Sequence, residues 1–298
     1  MQAHIPHKTS DWLLLHWLVI LYGFTPIIGK LITLQAVSLV WWRLLFACIA
    51  LFIFLIYKKI NLQVDRGIAI KLLANGAIVG AHWFFFYQAI KISNVNIALS
   101  GFATMTLFTA FIEPWVYKRR INLLEILLGF VTLLGLWIIL EATEMAWEGL
   151  TYGILAALTA SLFVTFNGKL SYKVSTYNIT AYELSGAFLL LTLLHFVLPQ
   201  PVIVPIVQTS DLIWLIVLST IATVYPFVQA IKLARIFSPY TLILTNNLEP
   251  VYGILLAFIF FGKDEIMTPI FYLGALLILA CVFTYPALKY WKRTNKQA

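Results

Sequence analysis

Ser238-Pro-Tyr-Thr-Leu-Ile-Leu-Thr-Asn-Asn-Leu-Glu-Pro-Val-Tyr-Gly-Ile-Leu-Leu-Ala-Phe-Ile-Phe-Phe-Gly262 places Asn246, Asn247 and Glu249-Pro250 inside an otherwise apolar run. The run is long enough to cross a hydrocarbon core of about 30 Å, which takes roughly 17–25 helical residues. An acidic side chain at mid-membrane costs roughly 2.5–3.5 kcal/mol on insertion scales, so it is expected to face a cavity or a partner rather than lipid. Pro250 removes one backbone donor and leaves the carbonyl of Asn246, four residues earlier, without its helical partner. Two amides, a carboxylate and a free carbonyl thus gather within about one helical turn. The stretch predicts a membrane helix broken at a polar site, with Glu249-Pro250 capping a second half-helix over 250–261.

The rest of the chain fits that reading. Of 298 residues, 62% are hydrophobic and only 11% charged, against about 25% charged in ordinary soluble domains, and mean hydropathy is +0.93. This is the composition of an integral membrane protein, and runs of helix length make it all-α. The net charge of +8 does not point to nucleic acid, because blocks such as Lys58-Lys59 and Lys118-Arg119-Arg120 stand at the ends of apolar runs, where they act as topology determinants. Cys48 and Cys281 each lie within an apolar run, without CxxC or Cys/His spacing, and neither a disulfide nor a metal is assigned to them. No Walker A, dinucleotide or HExxH motif occurs, and no cofactor is expected. A small basic n-region with a cleavage site is lacking, so residues 12–29 are expected to persist as the first span.

Apolar runs sit near 12–30, 37–57, 71–90, 95–117 and 122–140, then near 149–169, 177–198, 212–234, 240–261 and 267–288. Ten transmembrane helices in one membrane domain, 1–298, are predicted. With the N-terminus cytoplasmic, the inside ends collect sixteen Lys and Arg, from Lys8 and Lys58 to Arg293 and Lys296, and the outside keeps Lys30, Lys91 and Lys263. Both termini are therefore placed in the cytoplasm, as an even count requires. The halves also match each other. Ile28-Gly29-Lys30-Leu31 pairs with Asn167-Gly168-Lys169-Leu170 at an offset of 139, Arg43 with Glu183 at 140, the two Gln-Ala-Ile-Lys runs at 141, and Ser93 with Ser238 at 145. Repeat 1 spans about 12–140 and repeat 2 about 149–288. Five helices per repeat force the second copy to enter from the opposite side, the inverted arrangement of secondary transporters.

Taken in order, the Gly-Lys-Leu ends, Arg43, the Ala-Ile-Lys-Ile-Ser-Asn run at 89–94 and Leu248-Glu249-Pro250 resemble the drug/metabolite transporter superfamily of the EamA type, over nearly the whole chain. The resemblance implies a bacterial inner-membrane carrier that exports small metabolites or amino acids without ATP. In that family the fourth span often carries a proline matching Pro250. Here Thr104 stands at the aligned position and Glu113-Pro114 follows nine residues later, leaving open whether the fourth and ninth spans bend alike.

Candidate substrate contacts are His82, Phe86, Tyr87, Asn167, Asn246 and Glu249, and candidate gate or coupling groups are Arg43, Glu183 and Glu249. His82 and Phe86 share a helix face at i, i+4, with Trp83 and Tyr87 one step round and Phe84 and Phe85 turned elsewhere. A histidine between stacking surfaces suits an amphipathic or aromatic solute. Asn75, Asn167 and Gln229 suit hydrogen bonds between helices. Arg43 and Glu183 each lie about six residues inside their spans from opposite surfaces, so at about 1.5 Å per residue they are expected at different depths and unpaired. The partners expected are a small-molecule solute and membrane lipid, with the oligomeric state open. An intramembrane enzyme would need a clustered nucleophile and base or metal ligands, which His82, Glu183 and Glu249 on separate spans do not supply. A passive channel is the other alternative.

Overall fold

The computed structural model describes residues 8–141, 147–197, 203–206, 208–246, 248–262 and 268–294. Asn247, Glu144, Lys263, Asp264, Glu265 and Lys296 lie outside the described residues, as does the side chain of Pro250. Among the described residues every regular element is helical: α1 (Thr9–Leu31), α2 (Ala36–Tyr57), α3 (Arg66–Ile92), α4 (Val95–Phe102), α5 (Met105–Tyr117), α6 (Leu123–Glu141), α7 (Trp147–Leu170), α8 (Thr176–Val197), α9 (Thr209–Ser219), a π-helical turn (Thr220–Val224), α10 (Tyr225–Leu233), α11 (Pro239–Asn246), α12 (Glu249–Phe261) and α13 (Pro269–Thr294).

These elements make ten spans in two halves. α4 and α5 form the fourth span, α9 to α10 the eighth, and α11 and α12 the ninth. Eight spans are long and apolar enough to cross a bilayer whole, and α6 and α13 carry shorter apolar stretches, Leu123–Gly135 and Pro269–Cys281. α6 and α13, the last helices of the two halves, pack against each other.

Both the fourth and the ninth span break. α4 and α11 are each eight residues long and α5 and α12 each thirteen, so the two spans align residue for residue at an offset of 144. The caps agree: Asn94 accepts from the backbone of Ile97, and the Ser238 hydroxyl accepts from the backbone of Thr241. This corrects the offset of 145, because it is Asn94 and not Ser93 that does the work of Ser238. At that offset Thr106, not Thr104, stands opposite Pro250, and no proline makes the break in the fourth span. The Thr104 hydroxyl donates to the Gly101 carbonyl at 2.7 Å, and the Thr104 amide donates to the same oxygen at 3.2 Å, so both close the turn at the interruption. Pro114, by contrast, sits within α5 without ending it.

Glycines set how closely the halves meet. A Cβ on Gly76 would lie 2.2 Å from the Glu183 carbonyl oxygen, and one on Gly186 would lie 2.3 Å from that of Leu73, so α3 and α8 touch backbone to backbone. Gly101 and Gly153 allow the same approach of α4 to α7. Such small-residue contacts are how membrane helices gain packing without a hydrophobic driving force between them.

Candidate functional site

Helices from both halves enclose a cavity of about 120 Å³, lined by Arg43, His82, Phe86, Asn167, Asn246 and Glu249 among the candidates named above. Tyr22, Thr25, Trp83, Phe102, Phe163, Thr223 and Phe227 complete its central wall. Leu15, Leu18, Ala230, Ala234 and Leu242 carry it toward the end of the bundle at which α1 begins. At the opposite end the Thr33 amide and hydroxyl donate to the buried Asp211 at 2.8 and 2.6 Å, and Lys91 donates to the Ile32 carbonyl.

Arg43 is 3% exposed, yet its guanidinium is well placed. Nε donates to the Thr223 hydroxyl at 2.8 Å, Nη1 donates to the Tyr87 hydroxyl at 3.0 Å, and the planar group lies 4.1 Å above the Trp83 ring. Stacking on an aromatic face stabilises a desolvated guanidinium by about 2 kcal/mol. Its other donors have no protein partner among the described residues. Thr223 is available because the eighth span passes through a π-helical turn, and its hydroxyl in turn donates to the Leu218 carbonyl five residues back. Such insertions re-aim side chains and recur at functional sites. Pro226, just beyond the turn, is the sequence signal that predicts irregularity here, and the uniform span 212–234 missed it.

His82 places Nδ1 2.9 Å from the Ala156 carbonyl, so Nδ1 carries the hydrogen and Nε2 remains an acceptor. Its ring is bracketed by Phe86, Phe102 and Phe163, with centroids 6.2, 5.5 and 5.4 Å away. Phe84 and Phe85 instead meet Tyr152, away from the cavity.

Two candidates are not on the cavity wall. Tyr87 is fully buried, with its ring against Gly29 and its hydroxyl toward the Thr25 carbonyl, and so supports Arg43 from behind. Glu183, also fully buried, accepts from Asn75 at 2.8 Å through Oε1 and from Asn167 at 2.9 Å through Oε2, while Asn75 also donates to Asn167 at 3.0 Å. This triangle ties α3, α7 and α8 together, and only Asn167 reaches the cavity from it. Arg43 and Glu183 have wholly different partners.

Glu249 is the first residue of α12, not its cap. Leu248 occupies the cap position without a side-chain bond, because the helix resumes one residue earlier than the Glu-Pro pair suggests. Its carboxylate faces the cavity at 6% exposure and makes no hydrogen bond among the described residues. Nor does it form an ion pair with Arg43. Gly253, one turn on, lets α12 meet Leu99 of α4, since a Cβ there would stand 2.4 Å from the leucine methyl. Among the described residues no three His, Cys, Asp or Glu side chains gather as a metal site.

The sequence model of the EamA-like transporter family matches residues 12–141 and again 147–285. The uncharacterized transporter YxxF of Bacillus subtilis (strain 168) is 24% identical over 131 residues, which span 42% of this chain and 42% of that protein, less than half of its length. A solved structure described only as a crystal structure of protein superposes with a TM-score of 0.70 over 95% of this chain and 98% of that one, at 14% identity, a likeness of fold.

Proposed function

The chain belongs to the EamA-like transporter family and is a multi-pass membrane transporter, and from that premise we propose that it is a secondary carrier exporting small amphipathic solutes of the amino-acid kind across the bacterial inner membrane. The observation that carries the reading is the presence, within one cavity, of a cationic group and a carboxyl group that form no ion pair with each other, Arg43 and Glu249, with an aromatic box around His82. A zwitterion places its carboxylate on the spare donors of Arg43, its ammonium toward Glu249 and Asn246, and its apolar side chain among Phe86, Phe102 and Phe163. The cavity is smaller than the roughly 300–1,000 Å³ of sites for drug-sized ligands, as a small solute requires.

Alternating access follows from the inverted repeats. The cavity extends toward the end of the bundle where α1 begins, the end that the basic residues assign to the cytoplasm. Solute enters there. Outward opening separates α2 from the π-helical turn and breaks the Arg43–Thr223 bond, while the Glu183 triangle keeps α3, α7 and α8 closed at the inner side. Glu249 is the carboxylate of the cavity wall and so the group through which a proton gradient is coupled.

The deciding experiment is uptake and efflux in proteoliposomes over a panel of amino acids and small metabolites, with and without a pH gradient. Saturable counterflow of an amino acid or another small amphipathic solute supports the reading. Non-saturable flux of many solutes supports a channel.

A further inference from the structure

A second cleft, of about 610 Å³, opens between α3, α5 and α7, and its lining residue Asn75 donates to Asn167 of the solute cavity. Its rim carries Lys71, Lys118, Lys169 and Lys173, and its wall carries Trp115 and Phe166. Lys71 lies near the start of α3, Lys118 caps the end of α5, Lys169 lies at the end of α7 and Lys173 in the turn after it, so they lie at one membrane face. Trp115 is 73% exposed, three residues before Lys118. All four lysines are exposed, and none makes an ion pair among the described residues. The nearby acids are spent elsewhere: Glu113 and Glu125 clamp Arg119 at 3.1 and 2.8 Å, and Glu113 also accepts from the Tyr240 amide. Lys169 donates to the Val116 carbonyl at 3.1 Å, which fixes it over the cleft mouth.

Four unneutralised cations above an apolar groove have the complement of one kind of molecule. We infer that this cleft binds an anionic diacyl phospholipid, its phosphate among Lys71, Lys118, Lys169 and Lys173 and an acyl chain along Trp115 and Phe166. A soluble anion would gain nothing from the apolar wall. A neutral lipid would gain nothing from the lysines. Basic clefts between membrane helices at the headgroup level suit anionic headgroups, and an interfacial tryptophan sits at that same level. The inference needs only that the chain is embedded in a bilayer and is independent of what the central cavity carries.

The test is native mass spectrometry of the full chain in mild detergent with equal amounts of phosphatidylglycerol and phosphatidylcholine of matched acyl chains. Phosphatidylglycerol is expected to be retained preferentially, and Lys118→Gln with Lys173→Gln to lower that preference about five-fold per lysine, the equivalent of ~1 kcal/mol per basic residue at an anionic surface. Lys118→Arg with Lys173→Arg should keep it. Lys58→Gln with Lys59→Gln, at another basic loop, should leave it unchanged. Equal retention of the two lipids overturns the inference, as does an equal loss in the Lys58, Lys59 variant. So does displacement of the lipid by equimolar inorganic phosphate, which would mark a free-anion site. If the glutamine pair does not fold, the wild-type preference must still fall as salt rises, and a salt-independent preference overturns the inference equally.

Discussion

The Nε of Arg43 donates to the hydroxyl of Thr223 across 2.8 Å, joining the second span of one half to the π-helical turn in the second half. Replacing Thr223 by Val keeps the shape and removes the acceptor. A buried polar group left unpaired costs about 1–3 kcal/mol, and a charged donor more, so Thr223→Val is expected to lower the melting temperature and slow transport, while Thr223→Ser restores both. Melting in detergent and initial rates of solute counterflow check this pair.

Glu183 and Arg43 occupy matching repeat positions, yet each has its own partners. Exchanging them, Arg43→Glu with Glu183→Arg, is therefore expected to leave transport as dead as either single change. The guanidinium would meet Asn75 and Asn167, and the carboxylate would meet Thr223 and the Trp83 ring. Recovery of activity in the double variant would mean the two side chains pair during the cycle.

Gly76 stands where α8 passes, and an added Cβ would be 2.2 Å from backbone that cannot move away cheaply. Overpacking of this kind costs typically about 1–3 kcal/mol. Gly76→Ala is expected to destabilise the protein by that order, whereas Gly67→Ala, whose nearest contact is the Asp65 carboxylate at 3.1 Å on an exposed helix start, should be nearly neutral. Thermal unfolding of the two variants side by side gives the comparison.

The third helix divides its aromatic run between two environments. In a background with Cys48 and Cys281 replaced by Ala, single cysteines at His82 and Phe86 are expected to react with a membrane-impermeant thiol reagent added from the side the cavity faces, and cysteines at Phe84 and Phe85 to resist it. Faster labelling at Phe84 than at Phe86 would reverse the assigned face.

What could be read from residue order depended on whether the signal was local. The ninth span showed its break because Glu249-Pro250 inside an apolar run is unusual by itself. The fourth span breaks at the matching place through Thr104 and the close approach of Gly101 to Gly153, which no proline announces. The ten spans follow from hydropathy, and Arg43 stands out as a charge about six residues inside its span. Its partner Thr223 does not, because one extra residue in a π-helical turn rotates everything beyond it, and Pro226 is the faint sign. Repeat equivalence with Arg43 makes Glu183 a candidate gate or coupling group. The structure puts it between Asn75 and Asn167, because these two amides, which suit hydrogen bonds between helices, supply a buried carboxylate with donors.

Glu249 separates coupling from binding. It begins α12 at the point where the ninth span resumes, faces the cavity and makes no hydrogen bond among the described residues. Glutamine has the same shape and the same position for packing against α1 and α4, so Glu249→Gln is expected to fold and melt as the wild type does. It cannot ionise. If a proton leaves or joins this carboxylate once per cycle, Glu249→Gln loses accumulation driven by a pH gradient while exchange of solute across an equal-pH membrane continues. If instead the carboxylate only holds the ammonium of the solute, exchange itself weakens, the solute's half-saturation concentration rises, and the loss is the same with and without a gradient. Counterflow and gradient-driven flux measured on the same proteoliposomes distinguish the two, and a variant that matches the wild type in both removes Glu249 from the transport cycle altogether.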